Sequence, residues 1–345
     1  MTEDFNAQKN TKFIEIISNE YESFFDVTNV GKQRVCAITG IEDESCVPLD
    51  DKGEDNKIFV LPSVREQVNL GKALRDKEKF KTFEDYAENS FLGVLRMDVD
   101  GLGKLFINGF PSMTEYKKFS GTLLEFFDNK VREIKSKAEF NEHINIIYAG
   151  GDDLFVIGHW GKVIEFADTV RIEFAKTVGE IGVTISGGVA IIKPKFPIAK
   201  AAEIAGEAED AAKKFNNFEK NAFNMFGETV SWSKEFDYVK QFKQEFVDLI
   251  SNYGMSRGIL HKIIQYAITV RTNEQKAKQG VDEDYSYMWH STYYLTRYIK
   301  RYDKVPEIKD FCKNLKNKEL SSSSRKYTLL SVAARWAELE LRDNN

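Results

Sequence analysis

Residues 144–158, INIIYAGGDDLFVIG, restrict the fold of this 345-residue chain more than any other stretch. Two apolar runs flank Gly150, Gly151, Asp152 and Asp153 with no room for a helix between them, so the spacing predicts two antiparallel strands closed by a tight turn. Two glycines able to take positive φ suit that turn, which then holds two carboxylates at its tip. Adjacent anions repel unless solvent or a cation compensates them, and at a turn flanked by buried strands a hard divalent metal is the natural compensator. Glycine and aspartate are also the commonest turn residues, so taken alone the motif favours a site only modestly.

A second acidic site strengthens the case. Residues 92–99, LGVLRMDV, form another apolar run, ending in Asp98 and Asp100 and followed by Gly101, Leu102 and Gly103. Between the two acidic sites, residues 114–137 carry Tyr116, Phe119, Leu123, Phe126, Phe127, Val131 and Ile134 at the three-and-four spacing of a helix with one buried face. After the hairpin, Val163, Phe166, Ala167, Val170, Phe174 and Val178 repeat that spacing, and residues 183–192 read as a further strand. Strand, helix, hairpin, helix, strand is the split βαβ or ferredoxin-like order. A right-handed crossover makes its first two strands parallel and leaves the third between them. Both acidic sites then fall on one edge of the sheet, with Asp98 converging on Asp152 or Asp153. Carboxylates from two strand ends, beside a glycine-rich loop leading into a helix, are what a pair of Mg²⁺ ions and a nucleoside triphosphate require.

Three runs carry a family resemblance: FLGVLRMDVDGLGKLF over 91–106, IIYAGGDDLFVIG over 146–158, and NAFNMFGETVSW over 221–232. Together they resemble the second palm domain of the large subunit of type III CRISPR effector complexes, a cyclic oligoadenylate synthase. That palm is related to GGDEF nucleotide cyclases and palm polymerases, and TISGGVA over 184–190 is similar to that wider group. The resemblance covers roughly residue 60 onward. It implies ATP as substrate, Mg²⁺ or Mn²⁺ as cofactor, a second palm facing the first, and partnership with other type III subunits, crRNA and target RNA. By analogy with the cyclases, a lysine after the alanine-rich helix of residues 197–215 contacts the triphosphate, which makes Lys213 and Lys220 candidates. Lysines near a helix C-terminus are also favoured by the macrodipole alone.

The remaining sequence bounds the reading. With 42% hydrophobic and 13% aromatic residues, the chain can bury sizeable cores in two or three domains. The expected division is an acidic N-terminal region over 1–90, a palm over 91–232 and a helical domain over 233–345, an α+β chain with an all-α end. The first residues, MTEDFNAQKN, have neither the basic nor the apolar segment of a secretory signal, and no apolar run approaches the roughly eighteen residues of a membrane span. A cytoplasmic, reducing location is expected, consistent with only three cysteines. The family often carries two CxxC pairs in its linker; here Cys36 and Cys46 stand alone, so zinc is not expected. The family's HD nuclease motif is likewise not found, because none of the four histidines is followed by Asp, and the sequence gives DNA cleavage no support.

Within the helical end, Tyr285, Met288, Trp289, Tyr293, Tyr294 and Tyr298 form a dense aromatic stretch expected to be core rather than a stacking platform. Residues 297–326 hold ten Lys or Arg against four Asp or Glu, on a chain of net charge −5, and a surface of that sign could face RNA or an acidic partner.

The reading that follows is a palm-type nucleotidyltransferase. Asp98, Asp152 and Asp153 are the expected catalytic acids and, with Asp100, the expected metal ligands. Gly150, Gly151, Gly101 and Gly103 are expected near the phosphates, the last two at a helix start whose amides are free. Two alternatives remain: a GGDEF-like cyclic dinucleotide synthase, although the turn lacks the Glu-Phe that follows in that family, and a non-catalytic scaffold of an RNA-guided complex.

Overall fold

The computed structural model describes residues 47–48, 59–60, 65, 81–282 and 284–343. The chain divides into two compact units, residues 1–80 and 81–345. In the first, Val47–Pro48 pairs antiparallel with Phe59–Val60, within the apolar run of residues 58–61 that predicts an entry strand. Residues 13–25, whose apolar spacing predicts a helix, and Cys36 and Cys46 lie outside the described residues.

The second unit is built on a six-stranded sheet. Its strands are β1 (Leu92–Val99), β2 (Ile144–Gly150), β3 (Asp153–His159), β4 (Ile185–Ile192), β5 (Ala222–Met225) and β6 (Glu228–Ser231), in the order β2-β3-β1-β4-β5-β6. Strand β3 runs antiparallel to both β1 and β2 and lies between them, so β1 and β2 are parallel, as the split βαβ order requires. The β5–β6 hairpin extends the sheet beyond that core through a parallel pairing of β5 with β4.

Side-chain alternation gives each face its cover. Leu95, Met97 and Val99 of β1, with Leu154 and Val156 of β3, point into a core shared with the helix that begins at Met113 and with α4 (Trp160–Val178). Before these come α1 (Phe83–Ala87), capped by Thr82, and α2 (Leu102–Asn108). The helix expected over 114–137 is present as α3 (Met113–Glu125), continued by a π turn over Phe126–Lys130 and a last turn over Val131–Lys135. The extra residue of the π turn lets the adjacent Phe126 and Phe127 both bury, packed edge to face at 5.3 Å.

On the opposite face, Leu92, Val94, Ile157, Ala190 and Ile192 lie beneath α5 (Ile198–Lys213), which presents Ala201 and Ala205. Helix and strand approach closely because Gly188 has no side chain: a Cβ there would collide with the backbone of Ala208 and Glu209.

The rest is helical, as the sequence predicts: α6 (Phe236–Tyr253), α7 (Gly258–Lys278), α8 (Ser286–Arg301), α9 (Pro306–Asn314) and α10 (Ser324–Asp343). The sheet's core runs into it without a break. Trp232 stacks on Phe223 at 4.6 Å and meets Phe236 at 4.6 Å, and Phe236 reaches Trp336 at 6.0 Å. Arg325 ties α10 to the last strand by donating to Glu235 and to the Thr229 carbonyl. Among the described residues no helix is long and apolar enough to cross a membrane.

One expectation fails here. Of the aromatic stretch on α8, Tyr298 is buried, but Tyr285, Met288, Trp289 and Tyr293 are 46–60% exposed. The helix does bury one stripe, but Tyr287, Ser291, Leu295 and Tyr298 make it, with Tyr294 packed at its edge and the other rings outward.

The end of α10 returns to the sheet. Asp343 accepts from the Trp160 indole at 2.6 Å and from the Ser90 hydroxyl, and lies 3.4 Å from His159 Nε2. Burial holds the His159 imidazole below its ordinary pKa despite the nearby Glu88 and Asp343 carboxylates. A histidine that resists protonation when folded contributes stability above its unfolded pKa, about 6.5, and loses it as pH falls below that value. The denaturation midpoint should therefore drop between pH 7 and pH 5, and His159→Gln should flatten that drop. An identical pH slope in wild type and variant would contradict the assignment.

Candidate active site

The hairpin turn and the end of β1 meet in register. Asp98 pairs directly with Asp153, and the Val99 amide donates to the Asp152 carbonyl. At the tip only Gly151 takes positive φ (68°), the glycine-first arrangement of a type II′ turn, while Gly150 belongs to the ladder opposite Asp153. Arg96 and Asp98 share the face of β1 that lies beneath α5, and this brings in a residue that the sequence motifs do not single out.

That residue is Glu209, only 5% exposed on α5. Asp98, Asp153 and Glu209 each offer a carboxylate oxygen within 4.8 Å of the others, a set able to hold a metal ion. Lys213, one turn further along α5, donates to Asp98 and, at 2.7 Å, to Glu209. From the other side the Arg96 guanidinium approaches Glu209 at 3.4 Å, in space that Gly206 leaves open.

Three carboxylates thus face two cations. Burial pushes the Asp98 carboxyl above its ordinary pKa; the Lys213 hydrogen bond opposes this, and the charges of Glu209 and Asp153 add to it. Lys213 also moves up, because its bonds to Asp98 and Glu209 outweigh its own burial. The two shifts pull opposite ways on the pair: Lys213 stays charged while Asp98 resists ionising. Three carboxylates against two cations leave an excess of negative charge, which adds to the burial effect on Asp98, so further positive charge is favoured there.

Asp100, expected among the metal ligands, lies outside the three-carboxylate group. Its Oδ2 accepts from the Thr184 hydroxyl at 2.7 Å, the Ser186 hydroxyl at 2.8 Å and the Asn221 amide at 3.0 Å, while Oδ1 is buried without a protein partner. Asp100 thereby fixes a loop whose backbone is left-handed at Asn216, Asn217, Lys220 and Asn221. Such conformations persist only where surrounding contacts impose them.

A cleft of about 600 Å³ opens beside these groups, and Asp98, Asp100, Gly101, Gly103, Asp152, Lys213 and Lys220 all border it. At Gly101 and Gly103 no atom lies within 4 Å of where a Cβ would stand. A smaller hollow of about 190 Å³, lined by Arg96, Tyr148 and Phe155, touches Asp153. Gly150 and Gly151 border neither hollow and serve the turn.

A signal for Glu209 was present in the sequence. Paired glycines in SGGVA mark a close helix approach, and Glu209 stands four residues before Lys213 on that helix.

This sheet order, with two acidic strand ends in register and a lysine-bearing helix laid over them, defines a palm-type domain. Residues 91–224 match the family model for the second palm domain of Cas10/Cmr2. The resemblance drawn from the three motifs therefore holds.

A relative from Streptococcus thermophilus, named CRISPR system single-strand-specific deoxyribonuclease Cas10/Csm1 of subtype III-A, is 31% identical over 226 residues, covering 62% of this chain and 27% of its own. The chain spans about a quarter of the length of the curated relatives it matches. Among solved structures, Csm1 from T. onnurineus is similar with a TM-score of 0.58 at 21% identity, over 75% of this chain and 40% of that one. A Csm1–Csm4 cassette in complex with cA4 gives 0.55 at 20% identity, over 75% and 38%. At these identities the likeness establishes the fold, including the helical part beyond the palm.

Proposed function

We propose that the cleft binds ATP with Mg²⁺ or Mn²⁺ and joins adenylate units into cyclic oligoadenylate, as part of a type III CRISPR effector assembly. The observation that carries this reading is the in-register meeting of Asp98 and Asp153 beneath Glu209 and Lys213. The cA4 held by the similar Csm1–Csm4 cassette supports the product class.

Asp98, Asp153 and Glu209 would hold the cation, with Asp152 at the rim of the same cleft. When bound, divalent metal ions activate a hydroxyl nucleophile and stabilise the charge of the leaving pyrophosphate. Lys213 and Lys220 supply positive charge to the triphosphate, and Asp100 positions Lys220 by anchoring its loop. Bare backbone at Gly101 and Gly103 lets phosphate oxygens come close to the chain. Arg96, Tyr148 and Phe155 form a hollow with one aromatic wall beside Asp153, suited to a base next to the reacting phosphates. No protein nucleophile is needed, because the acceptor is a ribose hydroxyl.

In the cell the chain would work with a second palm, from a homodimer or another subunit, and with other type III subunits, crRNA and target RNA. Mass spectrometry of products formed from each NTP with Mg²⁺ tests the reading. Cyclic oligoadenylate from ATP is the expected result. A guanine cyclic dinucleotide would favour the GGDEF-like alternative, and no product from any NTP, with or without partner subunits, would leave a scaffold role.

A further inference from the structure

The helical part holds a second hollow with different chemistry. Along α8, His290, Tyr293, Tyr294, Arg297, Tyr298 and Arg301 recur at the three-and-four spacing that places side chains on one helix face. Opposite them on α7 stand Lys262 and Tyr266, and together these residues line a groove of about 600 Å³ with no carboxylate in its wall.

Three of the four acids in residues 297–326, and Glu235 beside them, are engaged elsewhere. Asp303 pairs with Lys309, Asp310 with Lys313, Glu319 with Lys326 and Glu235 with Arg325. The basic excess of residues 297–326 is thereby concentrated on Arg297, Lys300, Arg301, Lys304, Lys316 and Lys318, none of which has an acidic partner among the described residues.

Exposed rings accompany those charges. Arg297 lies over the Tyr293 ring at 5.8 Å, and Tyr293 is 58% exposed, with Trp289 equally open one turn before it. Guanidinium groups free of carboxylates, alternating with outward π faces, match a chain of phosphates interleaved with flat bases. An acidic peptide would satisfy the cations but leave the ring faces without partners.

We propose that the groove between α7 and α8 binds single-stranded nucleic acid, with phosphates on Lys262, Arg297 and Arg301 and a base stacked on Tyr293. This site is separate from the nucleotide cleft and does not rest on the reading given to that cleft.

The test uses the full chain and a fluorescein-labelled oligouridylate of about 15 nucleotides, long enough for a site of this kind. Anisotropy is followed over rising NaCl with excess ATP present. The Arg297→Glu, Arg301→Glu double variant should weaken binding at least tenfold. It should also lower the slope of log affinity against log salt by about 1.4, or 0.7 for each phosphate that is no longer neutralised. Tyr293→Ala removes an exposed side chain, so the fold should survive, and stacking loss should weaken binding about tenfold with the slope unchanged. Unchanged affinity in both variants would overturn the proposal. Equally tight binding of duplex RNA, or displacement by oligoglutamate at matched charge concentration, would overturn it in favour of a general polyanion or acidic-protein surface.

Discussion

Asp153→Asn is expected to remove Mg²⁺-dependent nucleotide turnover, by roughly a thousandfold, while leaving the chain folded. The size follows from the several kcal/mol of transition-state charge that a properly held cation stabilises. Asp98→Asn should behave alike, since the two side chains face each other across the β1–β3 ladder. Asp152, which borders the cleft but lies outside the three-carboxylate group, should cost less when replaced singly.

Stability separates this from a merely structural role. Ionised Asp98 is disfavoured by burial and by the neighbouring charges of Glu209 and Asp153, so its folded pKa lies above the unfolded one. Stability therefore falls as pH rises from the unfolded carboxyl pKa to the raised folded one, the cost is complete above it, and deleting the Asp153 charge relieves part of that cost. Asp153→Asn should melt no lower than wild type in metal-free buffer and should gain less from added Mg²⁺. Glu209→Gln should instead lose a few kcal/mol, because it strips a buried carboxylate from both Arg96 and Lys213. Undiminished product formation by an Asp152→Ala, Asp153→Ala double variant would remove the catalytic assignment altogether.

The second large effect concerns encounter between chains. Joining two nucleotides needs one triphosphate presenting its hydroxyl and another presenting its α-phosphate, yet the sequence contains a single GGDD turn. A monomer should bind ATP with Mg²⁺ and condense almost nothing. Facing sites supply the rest, since holding both nucleotides in line removes much of the bimolecular entropy cost. Turnover per chain should fall steeply on dilution and recover when a second palm is supplied. Measured beside light scattering, vigorous oligonucleotide synthesis by a species that stays monomeric would refute the two-palm requirement.

The sheet's core was legible in the sequence because each of its elements carries its own period. Residues 92–99 and 144–158 show strand-length apolar runs, and residues 114–137 and 163–178 show helical stripes. Topology then fixed the meeting of Asp98 with the turn, because one parallel crossover leaves a single place for the third strand. Less legible were features that depend on what stands opposite. Glu209 looks like a surface acid of an alanine-rich helix until Gly188 lets that helix settle on the sheet. Asp100 reads as a ligand from its place two residues after Asp98, but Thr184, Ser186 and Asn221 claim one of its oxygens. The rings of α8 misled for a related reason: aromatic density resembles a buried stripe, although of those six only Tyr298 is buried in the core and Tyr294 packs against it.

The unbroken packing from the sheet into the helices limits how the cleft can be controlled. Trp232 and Phe236, on either side of the junction, are fully buried, and Arg325 clamps the same joint from α10. A molecule settling on the helices finds no pivot there by which to reshape the acids at the end of β1. Under the two-palm proposal its influence would pass through position: where the whole body is carried, and which other palm it faces. On such a body, control of the proposed site would be a matter of placement.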